Sequence, residues 1–231
     1  MSERLVNAAE VGAESEVREL LAQGVDANSR DSLGRTALMV ASREDRSDIV
    51  GILLAHGADV DAQDEDGDSS LMRVALEGRV AIAEQLLQAG AAPDLTDKYG
   101  FTALARASMT GRMEIVRGLL AAGAQIDLTD KNNRTPLIWS CLRNHVAVAQ
   151  LLLESGANTN AKGERGCTAL AEAAFRGLDD VAALLLDHGA DIDARDEEGL
   201  TPLSLAIRKR QENTAKFLLG RGADVNSVDN F

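Results

Sequence analysis

Apolar residues fall three and four positions apart in short stretches of this chain, the spacing of one helix face. Met113-Glu114-Ile115-Val116-Arg117-Gly118-Leu119-Leu120 is one such stretch, and a glycine, Gly123, follows it. The stretch recurs with a period of 33 residues. The glycines Gly24, Gly57, Gly90, Gly123, Gly156, Gly189 and Gly222 keep that spacing without a gap. So do the leucine pairs from Leu20-Leu21 to Leu218-Leu219, and the series Leu5, Leu38, Leu71, Leu104, Leu137, Leu170 and Leu203. A fourth series is Thr36, Ser69, Thr102, Thr135, Thr168 and Thr201. Four series in one register predict a repeated unit of turn, short helix, turn, longer helix and extended return.

Each repeated residue has a local role. The Thr/Ser series precedes an apolar-periodic segment, where a side-chain oxygen caps the first free amides of a helix. Pro136 and Pro202 follow it at the first helical position, where a missing N–H costs nothing. Gly78, Gly111 and Gly177 come nine residues after the cap and suit the left-handed residue that ends a short helix, a role Asn144 also tolerates. Neither helix of a unit can bury its apolar side alone, but stacked units can.

The residues that carry this pattern resemble the ankyrin repeat. The family's Asp-x-x-Gly-x-Thr-Pro-Leu-His is similar to Asp196-Glu197-Glu198-Gly199-Leu200-Thr201-Pro202-Leu203-Ser204, and its Leu-Leu…Gly-Ala-Asp-Val-Asn to Leu218-Leu219…Gly222-Ala223-Asp224-Val225-Asn226. The resemblance covers essentially the whole chain. It implies an all-α solenoid of stacked helix pairs with short β-hairpin-like extensions. The expected organisation is one complete domain of seven units, at about 1–30, 31–63, 64–96, 97–129, 130–162, 163–195 and 196–228. Ser2 is available as the first cap, and Asp229-Asn230-Phe231 begins another turn. The chain also departs from the family. The His after the Leu is absent, with Met39, Met72, Ala105, Ile138, Ala171 and Ser204 in its place, so weaker helix starts are expected. Asp45 and Arg210 replace the glycine that ends the first helix, so looser ends are expected there. Gly163 replaces the turn-opening Asp.

Charge narrows the function. The net charge is −13, which argues against binding a nucleic-acid backbone or an anionic membrane surface. No apolar run approaches a membrane span, and no signal-peptide stretch follows the first residues. The two cysteines, Cys141 and Cys167, cannot build a disulfide framework. A cytoplasmic protein, monomeric on its own, is expected.

Candidate chemistry is sparse. His56 and His188 hold the same repeat position four units apart, too far to share a metal, and His145 reads as a structural residue. Cys141 falls on a small-residue face and reads as buried, whereas Cys167 lies at a variable position and reads as exposed, with no base in view. Asp64, Glu65, Asp66 and Asp68 lack the terminal bidentate Glu of a calcium loop, and Asp64 belongs to the turn-opening series Asp31, Asp64, Asp97, Asp130 and Asp196. No nucleophile–base pair, metal set or phosphate loop is visible, so neither catalysis nor a cofactor is expected.

Function in such a repeat is expected where residues vary freely. In the ankyrin family these are the hairpin tips and exposed faces of the first helices, which line a groove. The aromatics Tyr99, Phe101, Trp139 and Phe175 fall there, interleaved with Arg106, Arg134, Arg143 and Arg176. Trp, Tyr and Arg are enriched at binding hot spots. The resemblance therefore implies non-catalytic protein recognition, with the aromatics as anchors and the arginines pairing with an acidic partner segment. On this reading Trp139→Ala weakens binding and leaves the fold intact. Leu76, Met109, Leu142 and Phe175 share one repeat position, which suits either the groove or packing between helices. Two further classes stay open: a dedicated inhibitor or stabiliser of one enzyme, and a binder of small anionic molecules.

Overall fold

The computed structural model describes residues 2–226, Ser2 without its side chain. The capping role of Ser2 and the turn over 229–231 lie outside the described residues. Among those residues there are fourteen α-helices and no β-sheet. The β-hairpin-like extensions reduce to tight turns with two isolated antiparallel bridges, Arg30 to Thr36 and Gln63 to Ser69. The chain forms two compact units. The first runs up to Ala107 and includes Glu114–Gln125; the second is Ser108–Met113 and the chain from Ile126 onward.

In the first unit α1 (Ser2–Val11), α3 (Ala37–Arg43) and α5 (Ser70–Glu77) pack in succession, and so do α2 (Glu14–Ala22), α4 (Ser47–Ala55) and α6 (Val80–Gln88). α7 (Ala103–Thr110) and α8 (Met113–Ala121) follow in the chain. In the second unit the short helices are α9 (Pro136–Leu142), α11 (Ala169–Arg176) and α13 (Pro202–Arg208). The longer ones are α10 (Val146–Glu154), α12 (Asp179–Asp187) and α14 (Glu212–Gly220). Again short packs on short and long on long.

The repeated leucines make the core. The first leucine of every pair, from Leu20 to Leu218, is buried, and so is every member of the Leu5-to-Leu203 series. The hydroxyl series caps as expected: Thr36, Ser69, Thr102, Thr135, Thr168 and Thr201 each accept the backbone N–H three residues on. Every one of these caps forms although the family's His is missing, and Ser204, in its place, adds a 3.1 Å hydroxyl contact to Thr201.

The helix ends expected to be loose keep the common geometry. Asp45 and Arg210 take the left-handed conformation at φ 59° and 58°, beside Asn144 at 59° and Gly177 at 74°. The chain accommodates the side chain it gains at Asp45. Arg79, one unit later, pairs with its carboxylate at 3.1 Å. The acids of the extended returns are also structural. Asp61 accepts the N–H of Ala92, Asp127 that of Asn158, and Asp193 that of Asp224, so each holds the return of the next repeat.

Candidate functional site

The turn-opening aspartates organise the hairpins. Asp97 Oδ1 accepts the N–H of Tyr99 and of Phe101, both at 2.8 Å, and Asp130 Oδ1 those of Asn132 and Arg134. The outer oxygen then binds a side chain. In the first unit Asp97 Oδ2 takes the Arg106 guanidinium at 2.6 Å. Arg106 also contacts Asp68, which Arg73 reaches at 2.7 Å. Burial raises the Asp68 pKa above the usual carboxylate range, opposed by Arg106 and Arg73. In the second unit Asp130 Oδ2 accepts the Trp139 indole Nε1–H at 3.0 Å.

The expected site residues therefore have different roles in the structure. Tyr99 is 57% exposed, beside Lys98, and is open to a partner. Phe101 is half-buried. Arg106 is committed to Asp68 and Asp97, with its side chain 12% exposed. Those three belong to the first unit and the other five to the second. Trp139 corrects the expectation of an open anchor: it is only 8% exposed. Arg134 stacks on its ring at 4.9 Å and Arg143 at 5.9 Å, because the indole turns inward to satisfy Asp130. Arg134 also pairs with Glu164. Phe175 and Arg176 lie at the end of α11 and remain accessible. Of the shared position, Leu76, Met109 and Leu142 are half-buried, and Phe175 is the most open at 37%.

Phe175 and Arg176 line a cleft of about 460 Å³ between α11, α13 and their turns. One period explains the opening. Asp130, Arg134 and Trp139 fill their own part of the unit; 33 residues later stand Gly163, Cys167 and Glu172. Cys167 and Glu172, smaller than Arg134 and Trp139, line the cleft. Gly163 is buried, and a Cβ there would meet Ile138 at 3.1 Å and the Cys167 carbonyl oxygen at 3.3 Å. Without the Asp, a single 3₁₀ turn (Glu164–Gly166) closes the hairpin, with Arg165 left-handed at φ 58°.

The floor of the cleft is apolar, with Ala171, Leu200 and Leu205 packed together and Cys167 against them. Burial, then the Glu172 and Asp196 carboxylates, push the Cys167 thiol up to about 11, so it is a protonated lining group near neutrality. Cys141 is buried and is pushed up to about 12 by desolvation. The rim carries cations. Arg165 and Arg208 both pair with Glu198, Arg176 Nε lies 3.8 Å from Glu172, and Lys209 sits 4.4 Å above the Phe175 ring.

A family model described as ankyrin repeats matches the chain in three copies, over residues 5–64, 71–163 and 159–229. The chain belongs to the ankyrin-repeat family. Repeats of this family generally serve as protein–protein interaction modules and are typically non-catalytic. A comparison with curated proteins found no match. No helix among the described residues is long and apolar enough to cross a membrane.

Sequence reasoning missed most of the cleft. Leu200, Leu205, Asp196 and Lys209 obey the repeat closely enough to look ordinary. The available signal was Gly163, whose loss of the turn Asp coincides with Cys167 and Glu172 in place of larger residues.

Proposed function

We propose that this ankyrin-repeat protein is a non-catalytic, cytoplasmic recognition module that docks a partner protein at the second-unit cleft. The single observation behind this reading is the cleft itself: an apolar floor, an accessible aromatic at Phe175 and a lining that sets four cations beside four carboxylates. The rim cations suit an acidic partner segment, because Arg165 and Arg208 share the one carboxylate of Glu198 and Lys209 sits over the Phe175 ring. Tyr99 offers a further aromatic contact in the first unit, and Arg143 an exposed cation in the second. Trp139 and Arg134 act as structural residues, held by Asp130 and Glu164. Preformed helices lose little ordering entropy on binding, which favours docking on a rigid face. We also read the chain as one repeat array, because the period of 33 residues passes through positions 90, 123 and 156 without a change of register.

Site-specific photo-cross-linking tests the reading. A benzophenone amino acid at position 175 is expected to capture one discrete protein from the native cytoplasm. The same group at Lys216, exposed on α14, is expected not to capture it. Equal capture at both positions contradicts docking at the cleft.

A further inference from the structure

Resting on that reading, we propose that the floor of the cleft is a socket for one arginine side chain of the partner, its guanidinium seated against Asp196 and Glu172. The chain fills the equivalent of this socket at three of its four other turn-opening aspartates, and at the fourth, Asp64, the donor nine residues on, Arg73, pairs with Asp68 instead. The outer oxygen of Asp31 is bound by Arg35 at 2.7 Å, that of Asp97 by Arg106 at 2.6 Å, and that of Asp130 by the Trp139 indole at 3.0 Å. These donors stand four or nine residues after the aspartate. After Asp196 those positions are Leu200 and Leu205, which cannot donate.

Asp196 therefore keeps an acceptor in hand. Its Oδ1 takes the backbone N–H of Glu198 and Leu200 at 2.9 and 2.8 Å. Among the described residues, its Oδ2 is approached only by the Cys167 thiol, at 4.0 Å. Glu172 stands in the register of Arg106 and Trp139, two periods after the first and one after the second, so a carboxylate occupies the place from which a donor would come. Its contact with Arg176, at 3.8 Å, is long for a hydrogen bond. The remaining acids of the cleft are taken, Glu164 by Arg134 and Glu198 by Arg165 and Arg208.

An incoming arginine meets both needs. Its methylene stem would cover Leu200 and Leu205, and its planar fork can bridge two carboxylates, as Arg106 does between Asp68 and Asp97. A lysine offers one point charge and cannot reproduce the bridge. The rim cations would then meet carboxylates flanking that arginine, so the partner segment is acidic with a central arginine.

A random-peptide display on the immobilised full chain tests this. Enriched peptides are resynthesised with arginine and with citrulline, its neutral isostere, and bound to wild type, Phe175→Ala, Asp196→Asn and Glu172→Gln. The socket predicts enriched arginine peptides whose affinity falls at least about tenfold on citrulline replacement and on Asp196→Asn, with a smaller fall for Glu172→Gln. The citrulline arm keeps the test intact if Asp196→Asn disturbs the turn. Peptides that need Phe175 but bind equally well with citrulline overturn the socket and leave cleft docking standing. Peptides indifferent to Phe175→Ala, or no enrichment, overturn both.

Discussion

The indole Nε1 of Trp139 donates to the outer carboxylate oxygen of Asp130 at 3.0 Å. That bond turns the largest aromatic side chain of the chain into the second unit. Trp139→Ala is therefore expected to destabilise the protein by about 3 kcal/mol, through lost burial and the loss of the indole donor to Asp130 Oδ2. Trp139→Phe keeps most of the packing and is expected to cost about 1–2 kcal/mol. Urea unfolding of the two variants measures the difference. A Trp139→Ala protein as stable as wild type contradicts the assignment.

Arg106 lies between Asp68 and Asp97, and its removal leaves two buried carboxylates facing each other. Arg106→Met is expected to cost about 3 kcal/mol. The loss should shrink in acid, where Asp68, its pKa raised by burial, takes up a proton. Thermal melts of both proteins between neutral and acidic pH check the size and direction of the effect.

Arg210 adopts φ 58°, a conformation glycine reaches without strain. Arg210→Gly is expected to stabilise the protein by about 1 kcal/mol. Gly177→Ala should do the reverse, because Gly177 sits at φ 74°, a conformation in which a Cβ is strained. Chemical denaturation of the pair tests whether strain, rather than looseness, distinguishes these helix ends.

The architecture was legible because its causes are local and repeated. A hydroxyl before each short helix, a left-handed residue after it and a leucine pair in each long helix can all be read from spacing. The cleft was harder to read because it arises from what is missing. Gly163, Cys167 and Glu172 announce themselves only once Asp130, Arg134 and Trp139 are known to fill the corresponding space. The inward turn of Trp139 is hidden in the sequence for a related reason. Its register is variable in sequence, with Val40, Arg73, Arg106, Glu172 and Leu205 at the equivalent positions, and only the folded hairpin shows that Asp130, nine residues earlier, draws the indole in. Arg106 follows the same rule with Asp97.

Cys167 lines the cleft as a thiol raised to about 11 from an ordinary 9.0. It is expected to react slowly with iodoacetamide at pH 8 and faster as pH approaches 11. An acid group with a raised folded pKa also lowers stability with rising pH. The unfolded thiol ionises from about pH 9, while the folded one still holds its proton, so stability falls over that interval. A Cys167→Ser variant should lose part of that alkaline decline. Alkylation rates against pH, read by mass spectrometry, give the thiol's titration directly.

The central claim is that recognition takes place at the second-unit cleft. The most direct measurement is the dissociation constant of the partner captured at position 175, for wild type and Phe175→Ala, with thermal midpoints taken alongside. The account predicts binding weakened at least about tenfold, with the midpoint within about 3 °C of wild type, since Phe175 is partly exposed. An unchanged dissociation constant for a folded Phe175→Ala protein would contradict it.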